Sequence, residues 1–447
     1  MIAFNSFFPK FRDVSSKFRI AQIRTWLIPV SYVVAAIVAG FTVPRFTSIF
    51  LPELVSSIST SAAMSIYSAI ASGMIALTGI VFSLAFLMVQ FSATVYSPRL
   101  VLLMARDSLI SHALGIFTAT FFYALTALAW VDRSNSGGVS LISLGVVVAL
   151  LLASIAMFIA LINRIGMLQV NRILIFIGDK GREIIGELYP PITHHPELGV
   201  REVQRIQGSQ VVLYHGSPRF VQAIRLSTLE QLATHYDCVI ELMAAVGDSV
   251  LESTPIMQVR DGKEMLPRED LMRALVLGDE RTFEQDPKYA LRLLVDIAIR
   301  ALSPAINDPT TAVQALDQIE DLLTRLGRRR LEIGIFHDNE GKVRVMIPFP
   351  SWEDFLRVAF DEIRFYGSSS VQVMRRMKAV FSEMMAVLPH ERHAALRYWQ
   401  DRLKTTIDQS FSDSQDRFVA SMEDRQGLGI PRQGTDEDVC VPPVLRS

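Results

Sequence analysis

Residues 54–98 read LVSSISTSAAMSIYSAIASGMIALTGIVFSLAFLMVQFSATVYSP and contain no charged side chain, although 20% of the 447 residues in the chain are charged. A second charge-free stretch runs from residue 134 to residue 163. A helix needs about 20 predominantly apolar residues to cross the hydrocarbon core of a bilayer. The two stretches therefore predict that the first third of the chain lies in a membrane.

Outward from these stretches, the sequence contains apolar segments long enough to cross a bilayer at 26–50, 62–91, 109–131 and 139–162. A basic segment, 1–25, precedes the first of them. Because the apolar run continues past Gly40 without a small-residue cleavage site, we interpret it as a retained helix and not as a signal peptide. The sequence predicts a four-helix transmembrane domain over residues 26–163.

The basic residues are distributed unevenly between the loops. They precede the first span, occur as Arg99 and Arg106 between the second and third spans, and follow the fourth span. The other two loops contain only Arg45 and Arg133, each accompanied by an acidic residue. Loops rich in Lys and Arg remain on the cytoplasmic side, so we expect both termini to be cytoplasmic.

A row of small or polar residues recurs at steps of three and four along the second span and shares one helix face. Its members are Ser65, Ser68, Ser72, Ala76, Gly79, Ser83 and Gln90. Small residues allow close helix packing, and serine can donate a hydrogen bond across the contact. The same face could instead line a weakly polar pore in an oligomer. No acidic or basic residue marks an ion path within the spans, which favours the packing interpretation.

The remaining chain has the charge content of an ordinary soluble protein. We expect a connector at 164–208, a cytoplasmic α+β domain at 209–420 and a disordered tail at 421–447. The patterns within that domain predict a β unit at 209–262, helices at 286–326, a hairpin at 331–347 and helices at 352–412. The fold class is an integral membrane protein with four transmembrane helices followed by a cytoplasmic α+β domain.

Two patterns in that domain make specific structural predictions. The Gly247–Asp248 turn lies between the extended stretches 239–246 and 250–259 and predicts a hairpin. The dipeptides Asp286–Pro287 and Asp308–Pro309 predict helix starts, with the aspartate as N-cap and the proline in the first turn.

The helix that follows Asp286 is apolar except for Arg292, Asp296 and Arg300, which share one face. We expect these three side chains to form a buried Arg–Asp–Arg ladder, either within the domain or at a subunit contact, because the rest of the helix has little reason to face water. The same stripe could instead be the one solvated face of a scaffold helix. Asn307 and Asp308 belong to the same candidate polar contact.

The sequence also disfavours several classes of function. A net charge of −1 argues against nucleic-acid binding, which needs a basic surface. Two cysteines, Cys238 and Cys440, are too few for a disulfide framework. The chain has no phosphate-binding loop, no dinucleotide-binding glycine motif, no metalloprotease motif and no zinc-ligand spacing. We therefore expect no enzymatic activity and predict no catalytic, cofactor-binding or metal-ligating residues.

Several sequence motifs resemble an uncharacterised family of bacterial membrane proteins, domain of unknown function 2254. They are Phe82-Ser-Leu-Ala85, Gln90-Phe-Ser92, Tyr96-Ser-Pro-Arg99, Leu114-Gly-Ile-Phe117 and Asp296-Ile-Ala-Ile-Arg-Ala-Leu-Ser-Pro-Ala-Ile-Asn-Asp-Pro309. The resemblance covers residues 25–330, including the Gly247–Asp248 turn. It implies a multi-pass protein of the bacterial inner (plasma) membrane with a cytoplasmic domain, and it implies no activity and no catalytic residues.

These observations lead to two main hypotheses. The first is a homo-oligomeric, channel-like protein in the lipid bilayer, whose cytoplasmic domain serves assembly and gating. The alternative is a non-conducting scaffold or sensor that recruits a cytoplasmic protein partner. An enzyme at the membrane surface ranks third, and it would need a pocket that gathers Arg292, Asp296, Arg300 and Asn307. Ion flux and partner capture would distinguish the first two hypotheses.

Overall fold

The structure is a computed structural model, and it describes residues 17–50, 55–56, 59–91, 108–134, 139–165, 170–192, 208–262 and 264–428. The chain divides into two compact units, Ser15–Ile173 and Leu174–Ser447. We call them the helical unit and the C-terminal unit. The predicted motif Tyr96–Arg99 lies outside the described residues, as do most of the basic N-terminal segment and the second half of the connector.

The helical unit consists of long helices with a short pair of strands. Its elements are α1 (Lys17–Phe50), β1 (Val55–Ser56), α2 (Thr60–Phe91), α3 (Ser108–Ser134), β2 (Val139–Ser140) and α4 (Leu141–Ile165). Each of the four helices contains an apolar stretch long enough to cross a membrane: Leu27–Thr47, Thr60–Leu84, Leu109–Val131 and Leu141–Asn163. The four predicted spans thus coincide with four observed helices.

Helix α3 is the most enclosed of the four, and tyrosines anchor the packing around it. Tyr67 and Tyr123 are completely buried, and both hydroxyl groups lie within hydrogen-bond distance of the Ser143 hydroxyl, at 3.1 and 3.2 Å. A second polar contact joins Thr120 and Ser154 at 3.0 Å. These buried hydroxyls find partners on neighbouring helices, as a low-dielectric interior requires.

The C-terminal unit begins within helix α5 (Val170–Leu188) and contains two sheets. The strands are β3 (Gly208–Leu213), β4 (Arg219–Ile224), β5 (Val239–Leu242), β6 (Ser249–Val250), β7 (Pro255–Arg260), β8 (Leu275–Gly278), β9 (Ile335–His337) and β10 (Val343–Met346). One sheet has the order β3-β7-β5-β10-β9 and the other β6-β4-β8. Strands β9 and β10 form an antiparallel hairpin within the range 331–347.

The hairpin predicted around Gly247–Asp248 forms only in part. Its outer portions pair as antiparallel β5 and β7, with Ile240 opposite Val259. The residues that directly follow the turn form β6, which joins the second sheet and pairs with β4. Gly247 has a φ of +88°, a conformation that favours glycine, and here it turns the chain from one sheet towards the other.

Helices complete the C-terminal unit. They are α6 (Leu226–His235), α7 (Arg268–Arg273), α8 (Pro287–Ala301), α9 (Pro309–Gly327), α10 (Trp352–Tyr366), α11 (Val371–Val387), α12 (His393–Ser410) and α13 (Ser414–Ala420). Ser351 and Asp354 form a capping box at the start of α10. Phe360 packs against Phe381 and Trp399, with ring centroids 4.7 and 6.0 Å apart, so α12 covers the core between α10 and α11.

The predicted disordered tail begins too early at residue 421. Residues 421–428 lie along α11, where the Lys378 ammonium donates to the Ser421 carbonyl at 2.5 Å and the Gln372 amide donates to the Gly427 carbonyl at 2.6 Å. Arg425 forms an ion pair with Glu383 at 2.6 Å. These contacts replace water for the backbone polar groups of the segment. Residues 429–447 lie outside the described part of the chain.

Candidate functional site

The predicted row on α2 faces away from the rest of the helical unit. Ser65, Ser68, Ser72, Ala76, Gly79, Ser83 and Gln90 are all exposed. The opposite face of α2 packs against the unit and contains the buried residues Ala63, Tyr67, Ala71, Met74 and Val81. A Cβ atom added at Gly79 would meet nothing within 4 Å. Close packing of this row against another helix of the same chain is therefore wrong for the described residues.

The hydroxyl groups of this row differ in their partners. Ser65 donates to the Ser61 carbonyl at 2.9 Å, and Ser83 donates to the Gly79 carbonyl at 3.0 Å, so both bond to their own helix. Within the part of the chain that the structure describes, Ser68 and Ser72 have no hydrogen-bond partner. Ser72 is the central residue of the Thr60–Leu84 stretch. A hydroxyl group without a hydrogen-bond partner in the middle of a bilayer costs free energy, so a polar neighbour on this face would be favourable.

The predicted polar contact on α8 is real but has a different third member. The Arg292 guanidinium donates to Asp296 at 2.6 Å and makes two parallel hydrogen bonds to Glu362 on α10, at 2.6 and 2.8 Å. Its side chain is 24% exposed and that of Asp296 is 14% exposed. Hydrogen bonding to Glu362 and the charge of Asp296 raise the pKa of Arg292. The pair fixes α8 against α10.

Arg300 does not join this contact, so the predicted Arg–Asp–Arg ladder is wrong. Among the described residues its guanidinium has no hydrogen-bond or ion-pair partner. Asn307 is exposed and has a φ of +49° in the turn between α8 and α9. Asp308 caps α9 as predicted, because its carboxylate accepts from the Thr311 amide at 3.1 Å and from the Thr311 hydroxyl at 2.6 Å. The structure thus does not bring Asn307 and Arg292 into one pocket.

Asp286 starts α8 but does not cap it. Its carboxylate is 2% exposed, and neither oxygen has a hydrogen-bond partner of normal geometry in the described structure. One oxygen lies so close to Gly247 that a Cβ atom there would be 2.3 Å away. Burial raises the pKa of Asp286 to about 6. The negative charge of Asp286 adds to burial in raising the pKa of Tyr189.

A polar groove that the sequence analysis did not predict lies between α6 and the β9–β10 hairpin. It has a volume of about 780 Å³. Its lining includes Glu230, His235, His337, Asp338, Glu340 and Arg344. No group of three or more His, Cys, Asp or Glu residues in the described ranges is arranged to hold a metal ion. The groove joins α6 to a hairpin that lies about 100 positions later in the chain, so no local sequence pattern could predict it.

An ion-pair network supports one wall of the groove. Arg344 is 7% exposed, and it donates to Asp237 at 2.8 Å and to Asp338 at 2.7 Å. Hydrogen bonds from Lys342 and Arg344 lower the pKa of Asp237 to about 2. The Asp338 carboxylate also accepts from the amides of Glu340 and Lys342, each at 2.9 Å. Because the guanidinium charge is neutralised, the groove presents a net acidic, hydrogen-bonding surface.

Four apolar helices followed by a mixed helical and sheet unit define a membrane protein with a folded C-terminal domain. The family described as "Predicted membrane protein (DUF2254)" matches residues 22–383. The chain belongs to that family. Sequence reasoning identified it from the motifs in α2, α3 and the α8–α9 region.

Similar proteins occur in mycobacteria. An uncharacterized protein of Mycobacterium bovis is 26% identical over 428 residues, which cover 93% of this chain and 82% of the relative. An uncharacterized protein of Mycobacterium tuberculosis has the same identity and coverage. No solved structure matches the chain.

Proposed function

We propose that this protein is a homo-oligomeric, channel-like protein of the bacterial inner membrane, in which the outward face of α2 forms the contact between subunits or lines the path between them. In this proposal both termini are cytoplasmic, the C-terminal unit serves assembly and gating, and no step is enzymatic. The observation that carries the proposal is the exposure of the whole small-residue face of α2, opposite the face that packs within the chain.

The chemistry of that face supports a protein or water neighbour over lipid. Lipid chains cannot accept a hydrogen bond from Ser68 or Ser72, whereas a second copy or a file of water molecules can. Small side chains also allow two backbones to approach closely, which strengthens packing between helices in a membrane. The outward faces of α1 and α4 carry large apolar side chains, such as Val34 and Leu152, whereas on α2 exposed side chains of that kind, such as Ile75 and Phe86, flank or interrupt the row.

Cysteine cross-linking in native membranes tests the subunit contact. Ser72→Cys should form a disulfide-linked dimer under mild oxidation, since the residue lies on the proposed contact. Leu152→Cys is the matched control, because it is 61% exposed and is the central residue of its own span, Leu141–Asn163. Equal cross-linking at both positions, or none at Ser72, would contradict a contact through α2.

Ion flux into proteoliposomes tests conduction. The chain should conduct under voltage, osmotic or ligand challenge, and a thiol reagent on Ser72→Cys should alter the flux, whereas the same reagent on Leu152→Cys should not. Cross-linking at Ser72 without flux under any challenge would support an oligomer that does not conduct.

The groove favours a second candidate function, a scaffold or sensor that recruits a cytoplasmic protein. An open, acidic surface with imidazole and carboxylate groups suits a basic peptide segment. A partner recovered in stoichiometric amount from native membranes should be lost when Glu230 and Glu340 are both changed to Lys. Retention of the partner by that variant would exclude the groove as its binding site.

A further inference from the structure

Helix α5 carries two unlike faces. Its inner face packs into the C-terminal unit through the buried residues Leu174, Ile177, Ile184 and Ile185. On its outer face Ile175 is 41% exposed and Phe176 is 46% exposed. Exposure of two large apolar side chains to water is unfavourable, so an apolar environment is expected to cover them.

The chemistry of the outer face changes along the helix. The apolar pair comes first, and Asp179 and Glu183 follow it with side chains that are 65% and 45% exposed and form ion pairs with Arg182 and Lys180. Glu183 lies eight positions after Ile175, so the change from apolar to charged side chains occurs within about 12 Å along the axis. The exposed apolar portion is therefore confined to the end of α5 that follows the last membrane span.

The position of this apolar pair in the chain points to its cover. Helix α4 ends at Ile165 and α5 begins five positions later, at Val170. Even a fully extended chain of that length spans only about 18 Å, which is therefore the largest possible distance between the two helix ends. Arg164 and Arg172 flank this step in the sequence. Basic residues next to a span are attracted to the phosphates of anionic lipids. A basic residue and an apolar pair at the start of α5, followed by an outer face of charged ion pairs, match a bilayer surface at that end of the helix.

Contacts on the inner face fix the rotation of α5. Arg182 donates to Asp321 on α9 at 2.7 Å and to Gln318 at 3.3 Å. A Cβ atom at Gly181 would be 2.8 Å from the methyl groups of Leu322, which shows how closely the helices approach. Since the helix cannot rotate without breaking these contacts, Ile175 and Phe176 are held on its outer side.

We propose that Ile175 and Phe176 insert into the boundary between the lipid headgroups and the acyl chains, and that the start of α5 is thereby an interfacial anchor of the C-terminal unit. The occupant of this surface is the bilayer itself. Amphipathic helices bind such boundaries with their apolar side chains a short distance below the phosphates. The inference does not depend on conduction or on oligomerisation.

Spin labels on single cysteines test the proposal in the full chain, reconstituted in vesicles of zwitterionic and anionic phospholipid. Labels at Ile175→Cys and Phe176→Cys are compared with Glu183→Cys on the same face and with the mid-span Leu152→Cys. Cys440 is replaced by serine, and the other native thiol is buried. All four positions are partly or well exposed, so the label displaces no core side chain.

Collision with oxygen, which enters lipid, and with a water-soluble nickel complex gives the depth of each label. The expected ratio of oxygen to nickel collision at both Ile175 and Phe176 lies between the high value at Leu152 and the low value at Glu183. A ratio equal to that at Glu183 would place the pair in water and overturn the proposal. Low collision with both reagents would also overturn it, because it would mean that protein, such as a second copy, covers the pair.

Discussion

Removal of Asp296 should weaken the C-terminal unit by an intermediate amount, because Arg292 keeps a second partner. The deleted carboxylate makes a charge-assisted hydrogen bond of 2.6 Å to Arg292 in a site where both side chains are mostly buried. Such bonds contribute about 1.5–3 kcal/mol. Since Glu362 still holds the guanidinium, the full penalty for a stranded charge is avoided. We expect Asp296→Ala to lower the free energy of unfolding by about 1–2 kcal/mol.

Glu362→Ala should cost less than about 1 kcal/mol, because this carboxylate is 43% exposed and solvent screens its charge. The double variant removes both partners and leaves a guanidinium that is only 24% exposed. Its loss should reach about 3–4 kcal/mol, which exceeds the sum of the two single losses.

The assay is thermal unfolding of the full chain in detergent, followed by tryptophan fluorescence, to which Trp352 and Trp399 contribute from buried positions in the C-terminal unit. A domain of this size loses about 2–4 °C in melting temperature per kcal/mol, so Asp296→Ala should lower the transition by about 2–8 °C. Arg273→Ala is the control, because its ion pair with Asp270 is 70% exposed on the arginine side, and it should change stability by less than about 0.5 kcal/mol. Strict additivity in the double variant, or an unchanged melting temperature for Asp296→Ala, would refute the reasoning.

Three further perturbations have expected outcomes. Gly181→Ala should destabilise the chain by about 1–3 kcal/mol in the same unfolding assay, because the new methyl group would meet leucine atoms at 2.8 Å. Gly186→Ala is the control: its new methyl group would meet nothing within 4 Å, so the change should be neutral or stabilising by up to about 1 kcal/mol. Burial raises the pKa of Asp286 to about 6, so the folded state binds more protons than the unfolded state between about pH 4 and pH 6. The free energy of unfolding should therefore fall as pH rises through that window. Unfolding curves of Asp286→Asn should lack this loss. Burial also raises the pKa of Cys238, so a maleimide should not label it in the folded protein even in detergent. A cysteine at the exposed position Ser369 should be labelled in detergent. If the C-terminal unit is cytoplasmic, the same cysteine should be protected in intact cells.

Local chemistry in the sequence predicted those parts of the structure that depend only on neighbouring residues. The membrane helices follow from long charge-free segments, and the start of α9 follows from the Asp308 cap. The same Asp–Pro pattern predicted the helix start at Asp286 but not its side-chain contacts, because the buried carboxylate lies against Gly247 and forms no cap hydrogen bond of normal geometry. Identical local signals therefore gave different side-chain contacts.

Features that join distant residues were not predictable from one sequence. Arg292 meets Glu362, 70 positions away, and no periodic pattern links them. Parallel pairing of β5 with β10 brings Ile240 beside Val345 and creates the groove next to them. The candidate face on α2 was predicted from its spacing, but only the three-dimensional packing showed that the face points outward. Periodicity specifies which residues share a face and does not specify what that face meets.

The segment that follows α11 has a consequence for how this protein can be divided. The family match ends at residue 383, yet Trp399 of α12 covers Phe360, and Arg425 neutralises Glu383 itself. A chain shortened to the family boundary would expose an aromatic core to water and remove one of the two arginine partners of its last residue. The extent of a family match and the extent of a packed core are thus different properties here, because the contacts of the C-terminal unit continue past residue 383 to Gly427.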